Sequence, residues 1–229
     1  ASMQLTKEQI KYIDDYLIKS GIKHCDIRFE MIDQLASQLE NEDNFNLDEE
    51  YLKKEIGTSS KLKKVEWQES IFINKKYKRL LFNEIKQFFS SLKFSLLFVF
   101  LYIVEFYLFK KLSSSLFLKI NIVLIIIPVV IPLIIIIKNG IDYGLSKWKS
   151  RNLDYALHYS LFSFVILNGI FQFLRPNGFY NLNPNILPVV LIFLIPIHFL
   201  FSFCGTKIYI KTYKEYSNLF NEQKKINAT

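Results

Sequence analysis

Ionisable and amide side chains within the apolar second half of the chain are the residues best placed to do chemistry. They are Glu105, Lys119, Asn168, Gln172 and His198. A charged group in hydrocarbon is costly, so each of them indicates a partner, a water-filled cavity or a proton pathway. Glu105 and Lys119 flank a short connection and are expected at similar depth, which favours an ion pair. The alternative is a Glu105 that snorkels or faces an aqueous cavity.

The other three intramembrane residues point to helix packing. Asn168 and Gln172 are expected in the same outer layer as Glu105, where they could join its network or hold helices together. His198 lies near mid-span and His158 near the inner end of another span, and this difference in depth argues against a proton relay or a catalytic pair. We therefore expect His198 to donate a hydrogen bond between helices.

Motifs that signal catalysis or cofactor binding are missing from the sequence. It contains no HExxH motif, no Ser–Lys pair flanked by glycines and no Gly-rich phosphate loop, and it has 7 glycines in all. His24 and Cys25 are adjacent but lack further metal ligands at a suitable spacing. The sequence thus predicts no catalytic residue, no metal and no cofactor. Four prolines are expected to kink helices and free backbone carbonyls: Pro128, Pro132, Pro188 and Pro196.

Four apolar runs must position these residues. They cover 92–109, 116–137, 155–174 and 186–204, and each is about 18–22 residues long, enough to cross the hydrocarbon core as a helix. The predicted fold is an all-α membrane protein with an N-terminal cytoplasmic helical domain and four transmembrane helices. The predicted boundaries are a head at 1–57, basic juxtamembrane helices at 58–91, a transmembrane domain at 92–205 and a cytoplasmic tail at 206–229.

The distribution of Lys and Arg predicts the orientation. Residues 1–50 hold 5 basic and 12 acidic side chains, whereas residues 51–93 hold 11 basic and 4 acidic ones. Eighteen basic residues lie just before the first span, in the connection between spans two and three, and in the tail, against four on the other side. By the positive-inside rule both termini are cytoplasmic, with outer loops at 110–115 and 175–185. The expected location is the bacterial inner membrane, with several passes.

The basic segment before the first span has a simple interpretation. Lys75, Lys76, Lys78 and Arg79 are expected to contact anionic lipid headgroups. Nucleic-acid binding would call for interleaved aromatics on a sheet or a recognition helix, and neither is evident. Membrane lipids are therefore a predicted partner, and direct nucleic-acid contact is not predicted.

Local signals predict three helices in the head. Thr6 and Gln9 form a capping box that opens a helix with an apolar stripe, which Gly21 ends. Asp26 is the predicted N-cap of a second helix running to about residue 40. A third helix is expected after Asn46 or Asp48. A core this small needs support, from dimerisation or from packing on the basic segment. The first two helices are expected to bury Ile10, Ile13, Leu17, Ile18, Ile27, Met31, Ile32, Leu35, Ala36 and Leu39.

About forty head residues resemble a known family. The carrying segments are Leu5-Thr6-x-Glu8-Gln9-Ile10-x-x-Ile13-Asp14-x-Tyr16-Leu17, then Gly21-Ile22, then Asp26-Ile27-Arg28-Phe29-Glu30-Met31-Ile32-Asp33-x-Leu35-Ala36. Together they resemble the HAAS domain of bacterial multi-span membrane proteins, often encoded beside PadR-like transcription regulators. The resemblance implies a regulatory, non-catalytic role. The family pattern often has a histidine where this chain has Gln34, which weakens any titrating or metal-binding role for the head.

The most specific part of that pattern, Asp26-x-Arg28-x-Glu30-x-x-Asp33, can also be interpreted from helix geometry. Asp26, Glu30 and Asp33 are spaced i, i+4 and i+7 and share a face, while Arg28 points elsewhere. The face is either simply solvated or docks a basic partner or the basic segment. As a binding hypothesis, Asp26, Arg28, Glu30 and Asp33 form the partner site.

Taken together, these features predict a non-enzymatic, membrane-anchored regulatory or signalling protein that acts through protein contacts of its head. The expected protein partner is a PadR-like regulator or another membrane subunit, within a homo- or hetero-oligomer. The alternative is an oligomeric membrane effector or channel gated by the head. A transporter or intramembrane enzyme using Glu105 and His198 is a third class.

Overall fold

The structure, a computed structural model, describes residues 5–39, 47–143, 149–174 and 186–228. Within those ranges it is helical, without a strand. The eight helices are α1 (Lys7–Lys19), α2 (Cys25–Leu39), α3 (Glu49–Glu55), α4 (Ser59–Ser90), α5 (Leu92–Lys111), α6 (Ser114–Tyr143), α7 (Arg151–Leu174) and α8 (Ile186–Ala228).

Local capping signals set the ends of the short helices as predicted. The Thr6 hydroxyl accepts from the Gln9 backbone N–H, and the Gln9 side chain accepts from the Thr6 N–H at 2.8 Å. Asp48 caps α3 by accepting from the Tyr51 N–H at 2.7 Å. Gly21 follows α1 with φ of 98°, a left-handed conformation that glycine adopts without steric cost.

One capping prediction is wrong. α2 begins at Cys25, so Asp26 lies in its first turn rather than at its N-cap. Its carboxylate instead reaches a different helix, as described below.

Contacts divide the chain into two compact units. Unit 1 consists of Ala1–Lys75 and Ile141–Asp154, and unit 2 of Lys76–Gly140 and Tyr155–Thr229. The head therefore shares its unit with the first half of α4 and with the first turn of α7, a grouping different from the boundaries drawn from sequence.

Unit 1 has its own apolar core. Leu62 of α4 is fully buried in it, in keeping with the expectation that the head packs on the basic segment. Ile10 and Ile18 were expected in the core but are 41% and 49% exposed, because the buried stripe of α1 is narrower than its apolar stripe. The core consists of Ile13, Leu17, Ile22, Ile27, Met31, Ile32, Leu35, Leu39, Leu52 and Leu62.

Unit 2 holds the long apolar helices. Within the described residues, three helical segments are long and apolar enough to cross a membrane: Leu92–Lys111, Ser114–Lys138 and Ile186–Asn218. They coincide with the first, second and fourth predicted spans. The third predicted span falls on α7, a helix of 24 residues, and its crossing of the membrane stays a prediction. An apolar cluster of α6, α7 and α8 forms the centre, built on Phe117, Ile125, Leu167, Leu191, Ile192 and Ile195.

The basic segment is one continuous helix, α4, and its second half pairs with α8. The Tyr77 and Thr212 hydroxyls are hydrogen-bonded at 3.2 Å, and the Lys207 ammonium donates to Glu84. The order of these contacts along the two helices makes the pair antiparallel. α8 has 43 residues and is about 65 Å long, more than twice the hydrocarbon thickness. Part of α8 would therefore extend beyond a bilayer that it crosses; α4 packs along the stretch of α8 that contains Lys207 and Thr212.

Candidate functional site

The Asp26 carboxylate binds the beginning of α7. Its oxygens accept from the backbone N–H groups of Arg151 at 3.0 Å and Asn152 at 2.9 Å. They also accept from the Ser150 hydroxyl at 2.9 Å and the Asn152 side-chain amide at 2.8 Å. We call these four residues the α7 anchor. All four belong to unit 1.

The α7 anchor is a helix cap supplied from a distant part of the chain. The first backbone N–H groups of a helix have no partner inside it, and the helix dipole makes that end attractive to anions. Ser150 satisfies the Leu153 N–H, and Asp26, 125 residues away from Arg151, satisfies two more. A carboxylate in this position stabilises the start of α7 and holds α2 against it.

Arg28 forms its hydrogen bonds with other residues of the head. Its Nε donates to Asp14 of α1 at 2.5 Å, and its Nη1 donates to the backbone carbonyls of Ile22 and Lys23. The side chain is buried, and these three bonds satisfy most of its donors. Arg28 therefore fastens α2 to α1 and to the loop between them.

These contacts correct the predicted partner site. Asp26 is partly buried and Arg28 buried, so neither lies on an open docking face. Glu30 and Asp33 are exposed, and Glu30 accepts a hydrogen bond from Gln34 at 2.9 Å. Of the four predicted residues, Asp26 binds the start of α7, Arg28 fastens the helices of the head to each other, and two remain exposed.

His24 lies between two carboxylates beside the anchor. Its Nδ1 is 2.6 Å from Glu66 of α4, and its Nε2 is 3.5 Å from Asp154 of α7. Burial lowers the pKa of His24, but hydrogen bonding to Asp154 and Glu66 outweighs burial, so the pKa is raised from 6.5. The imidazolium form links the α1–α2 loop to both helices, which makes this cluster sensitive to pH.

The neighbouring Cys25 is structural. Its backbone N–H donates to the Lys149 carbonyl at 2.9 Å, a further link between α2 and the residues before α7. Burial raises the pKa of its thiol to about 12, so the thiol is unreactive near neutral pH. In the described part of the chain, no group of three His, Cys, Asp or Glu side chains is arranged to hold a metal ion.

In unit 2, Glu105 lies beside an amide and not beside Lys119. Glu105 is 3% exposed, and the neighbouring side chain is that of Asn121, which is fully buried. Asn121 also donates to the Phe117 carbonyl at 3.0 Å. Lys119 is exposed, and within the described residues no ion pair joins it to Glu105. The ion pair expected from sequence is not formed.

Helix geometry explains this correction. Phe109 stacks edge-on against Phe117, so α5 and α6 form the expected antiparallel hairpin, with Glu105 level with Asn121. Lys119 is close to that depth, but two residues along a helix are about 200° apart around its axis. The depth of a residue follows from its position along a predicted span, whereas the direction of its side chain depends on how the helices pack.

His198 is an interhelical hydrogen-bonding residue, as predicted. It is 1% exposed, its Nδ1 lies 3.0 Å from the Ser163 hydroxyl, and its Nε2 lies 3.1 Å from the Ile125 carbonyl. Pro128 lacks an N–H and leaves the nearby Leu124 carbonyl without its helical donor. His198 thus joins α8 to α7 and, next to that interruption, to α6.

Sequence reasoning missed a row of small polar residues between α7 and α8. The Ser160 and Thr206 hydroxyls are 3.0 Å apart, as are those of Ser163 and Ser202. A Cβ atom at Gly205 would lie 2.5 Å from the Tyr159 carbonyl oxygen, so the two backbones are in direct contact. Small residues at helical spacing, typical of close-packed membrane helices, were the available signal.

Asn168 and Gln172 do not join either polar cluster. Both are exposed. Asn168 instead lines a groove of about 320 Å³ with Ile122, Ile125, Ile126 and Phe164. The predicted five-residue network is therefore replaced by two separate clusters, one at Glu105 and Asn121 and one at His198 and Ser163.

The predicted lipid-contacting residues all lie on α4. Lys75, Lys76, Lys78 and Arg79 are exposed, and the Lys76 ammonium lies 5.5 Å from the centre of the Tyr77 ring. The neighbouring Tyr77 is 2% exposed because it faces α8. Lipid contact by these basic side chains stays a prediction.

Searches for related proteins found no matching family model, no matching curated protein and no matching solved structure.

Proposed function

We propose that this chain is a four-span protein of the bacterial inner membrane whose cytoplasmic head regulates other proteins by direct contact, without catalysis. The three apolar helices of span length support the membrane location. The head resembles the HAAS domain, which supports a regulatory role and a PadR-like regulator or a second membrane subunit as partner.

The asymmetry of basic residues supports the proposed topology, with both termini cytoplasmic. Single-cysteine labelling with an impermeant reagent tests it, in a background where Cys25 and Cys204 are replaced by serine. We expect a cysteine at Asn183 to react from the outside of intact membranes and one at Ser217 to react only after permeabilisation. The reverse pattern would refute this topology.

The observation that carries the proposal is the α7 anchor. Asp26 in the head caps the first turn of α7, and α7 continues as one helix to Leu174, through the third predicted span. A shift or tilt of that span changes the position of its first turn, and the anchor passes this change to α2. The head is thereby coupled to the state of the membrane helices.

The same helix α2 presents the proposed contact surface. Glu30 and Asp33 are exposed on α2, which carries Asp26 in its first turn. Residues 1–50 have a net charge of −7, so a basic surface is the complementary partner. The anchor holds α2 in place, and Glu30 and Asp33 contact the partner.

Particle mass separates this role from a channel gated by the head. The full chain is purified in mild detergent from its native membrane, and its mass is measured by light scattering with correction for detergent. We expect a hetero-complex that Glu30→Lys with Asp33→Lys dissociates. A homo-oligomer of several copies that conducts ions in planar bilayers, and is unchanged by these substitutions, would support the channel and refute the regulatory role.

A further inference from the structure

Two buried oxygen atoms in the membrane-helix unit accept no hydrogen bond. They are Oε2 of Glu105 and Oδ1 of Asn121, on side chains that are 3% and 0% exposed. A buried acceptor without a donor costs about 1–3 kcal/mol, and more when it is charged. The two oxygens belong to neighbouring side chains of α5 and α6.

Among the residues that the structure describes, no cation is paired with Glu105. On α6, Lys119 is exposed. On α5, the Lys110 ammonium lies 4.7 Å from the centre of the Phe106 ring, and the Tyr102 hydroxyl donates to the Phe193 carbonyl. His198 of α8 is bound to Ser163 and Ile125, and His158 of α7 is exposed beside Tyr159 and Phe162. An ionised Glu105 would therefore be a buried charge without a counter-ion, which is strongly unfavourable.

Counting donors shows what is missing. The Asn121 amide has two N–H groups; one donates to the Phe117 carbonyl, and the other can donate to the neighbouring Glu105 carboxyl. An ionised carboxyl group has no donor, so nothing in the pair can satisfy Asn121 Oδ1. One added proton changes this: a protonated carboxyl accepts through one oxygen and donates through the other.

We propose that Glu105 is a proton-binding site, and that the neutral acid forms a reciprocal pair with Asn121. In this pair the carboxyl accepts from the amide N–H, and the carboxyl O–H donates to the amide oxygen. The proton comes from water and is returned to water, with no other bond made or broken. The pair ties α5 to α6 when protonated and is broken when the proton leaves. This inference does not depend on the proposed regulatory role of the head.

Infrared spectroscopy of the full chain in lipid vesicles tests the protonation directly. We expect the wild type at neutral pH to show the C=O stretch of a protonated carboxyl, shifted by deuterium exchange and lost in Glu105→Gln. Lys119→Gln is the matched control and should keep the band unchanged. A wild-type spectrum without the band, or a band that appears only in Lys119→Gln, would overturn the proposal in favour of an ionised Glu105.

Thermal stability gives a second readout. Glutamine, like the neutral acid, can accept through one atom and donate through the other, although it carries one additional N–H. Glu105→Gln should therefore melt closer to the wild-type temperature at neutral pH than Glu105→Ala does. Raising the pH until the infrared band disappears should lower the melting temperature of the wild type but not of Glu105→Gln. A wild-type melting temperature that rises with NaCl but not with choline chloride, an effect lost in Glu105→Gln, would identify a metal-cation site instead and refute the proton.

Discussion

Replacing Asp26 tests the coupling of the head to α7 most sharply within the chain. In Asp26→Ala the backbone N–H groups of Arg151 and Asn152 lose their acceptor, as do the Ser150 hydroxyl and the Asn152 amide. Asp33→Ala is the matched control, because Asp33 lies on the same helix and is exposed.

The size of the effect follows from the groups left unpaired. Each partly buried N–H without an acceptor costs about 1–3 kcal/mol, and loss of a helix cap typically costs about 1 kcal/mol. Because water reaches part of the site and these terms overlap, we expect the α7 anchor to weaken by about 2–4 kcal/mol in Asp26→Ala. We expect a change below about 0.5 kcal/mol in Asp33→Ala.

Hydrogen exchange measured by mass spectrometry on the full chain in detergent reads this local stability. Amides at the start of α7 should exchange roughly 30- to 1,000-fold faster in Asp26→Ala, since about 1.4 kcal/mol corresponds to a factor of ten. In Asp26→Asn, which keeps one acceptor oxygen, the exchange rate of these amides should lie between the rates in the wild type and in Asp26→Ala. Equal exchange of Arg151 and Asn152 in wild type and Asp26→Ala would refute the anchor.

Three further substitutions test the remaining contacts. Arg28→Lys should destabilise the head by about 2 kcal/mol, because lysine cannot contact Asp14 and the two carbonyls at the same time. If the effects of Arg28→Lys and Asp14→Asn on thermal stability simply add in the double variant, this pairing is contradicted. The raised pKa of His24 means that its protonation stabilises the head. The contribution of His24 is fully present below pH 6.5 and is lost as pH rises through the raised value; a pH titration of wild type against His24→Gln checks this, and identical curves would contradict it. Gly205→Ala should lower the free energy of unfolding by about 1–3 kcal/mol, because the added Cβ forces α7 and α8 apart. Gly169→Ala, with open space around its Cβ, should have no measurable effect. Equal melting temperatures of the two variants would contradict close packing at Gly205.

Sequence reasoning worked where the interacting residues are neighbours in the chain. The Thr6 capping box and the Asp48 cap join residues three positions apart. The first forms as predicted, and the second is one of the two starts that were predicted for α3. His198 was also predicted correctly, because a buried imidazole in an apolar helix has to find partners on neighbouring helices.

It was wrong where tertiary packing decides the partner. Asp26 has the chemistry of a helix cap, as predicted, but it caps α7 instead of its own helix, and local sequence carries no trace of a contact 125 residues away. In the same way, Glu105 and Lys119 were placed at similar depth, yet the rotation of α6 turns Asn121 toward Glu105. Asn121 was not predicted as a partner because the opposite charges of Glu105 and Lys119 favoured an ion pair. A single amide in an apolar helix also requires a hydrogen-bonding partner.

We propose that the head acts by binding a protein through the exposed acidic residues Glu30 and Asp33 of α2. The most direct measurement is the amount of partner protein that co-purifies with the full chain from native membranes, quantified by mass spectrometry. The compared variants are Glu30→Lys with Asp33→Lys and, as a control with the same charge change, Asp15→Lys with Glu50→Lys on other exposed positions of the head. We predict that at least tenfold less partner co-purifies with the α2 variant than with the wild type, and that the control variant recovers as much partner as the wild type. Equal recovery from wild type and both variants would contradict the claim.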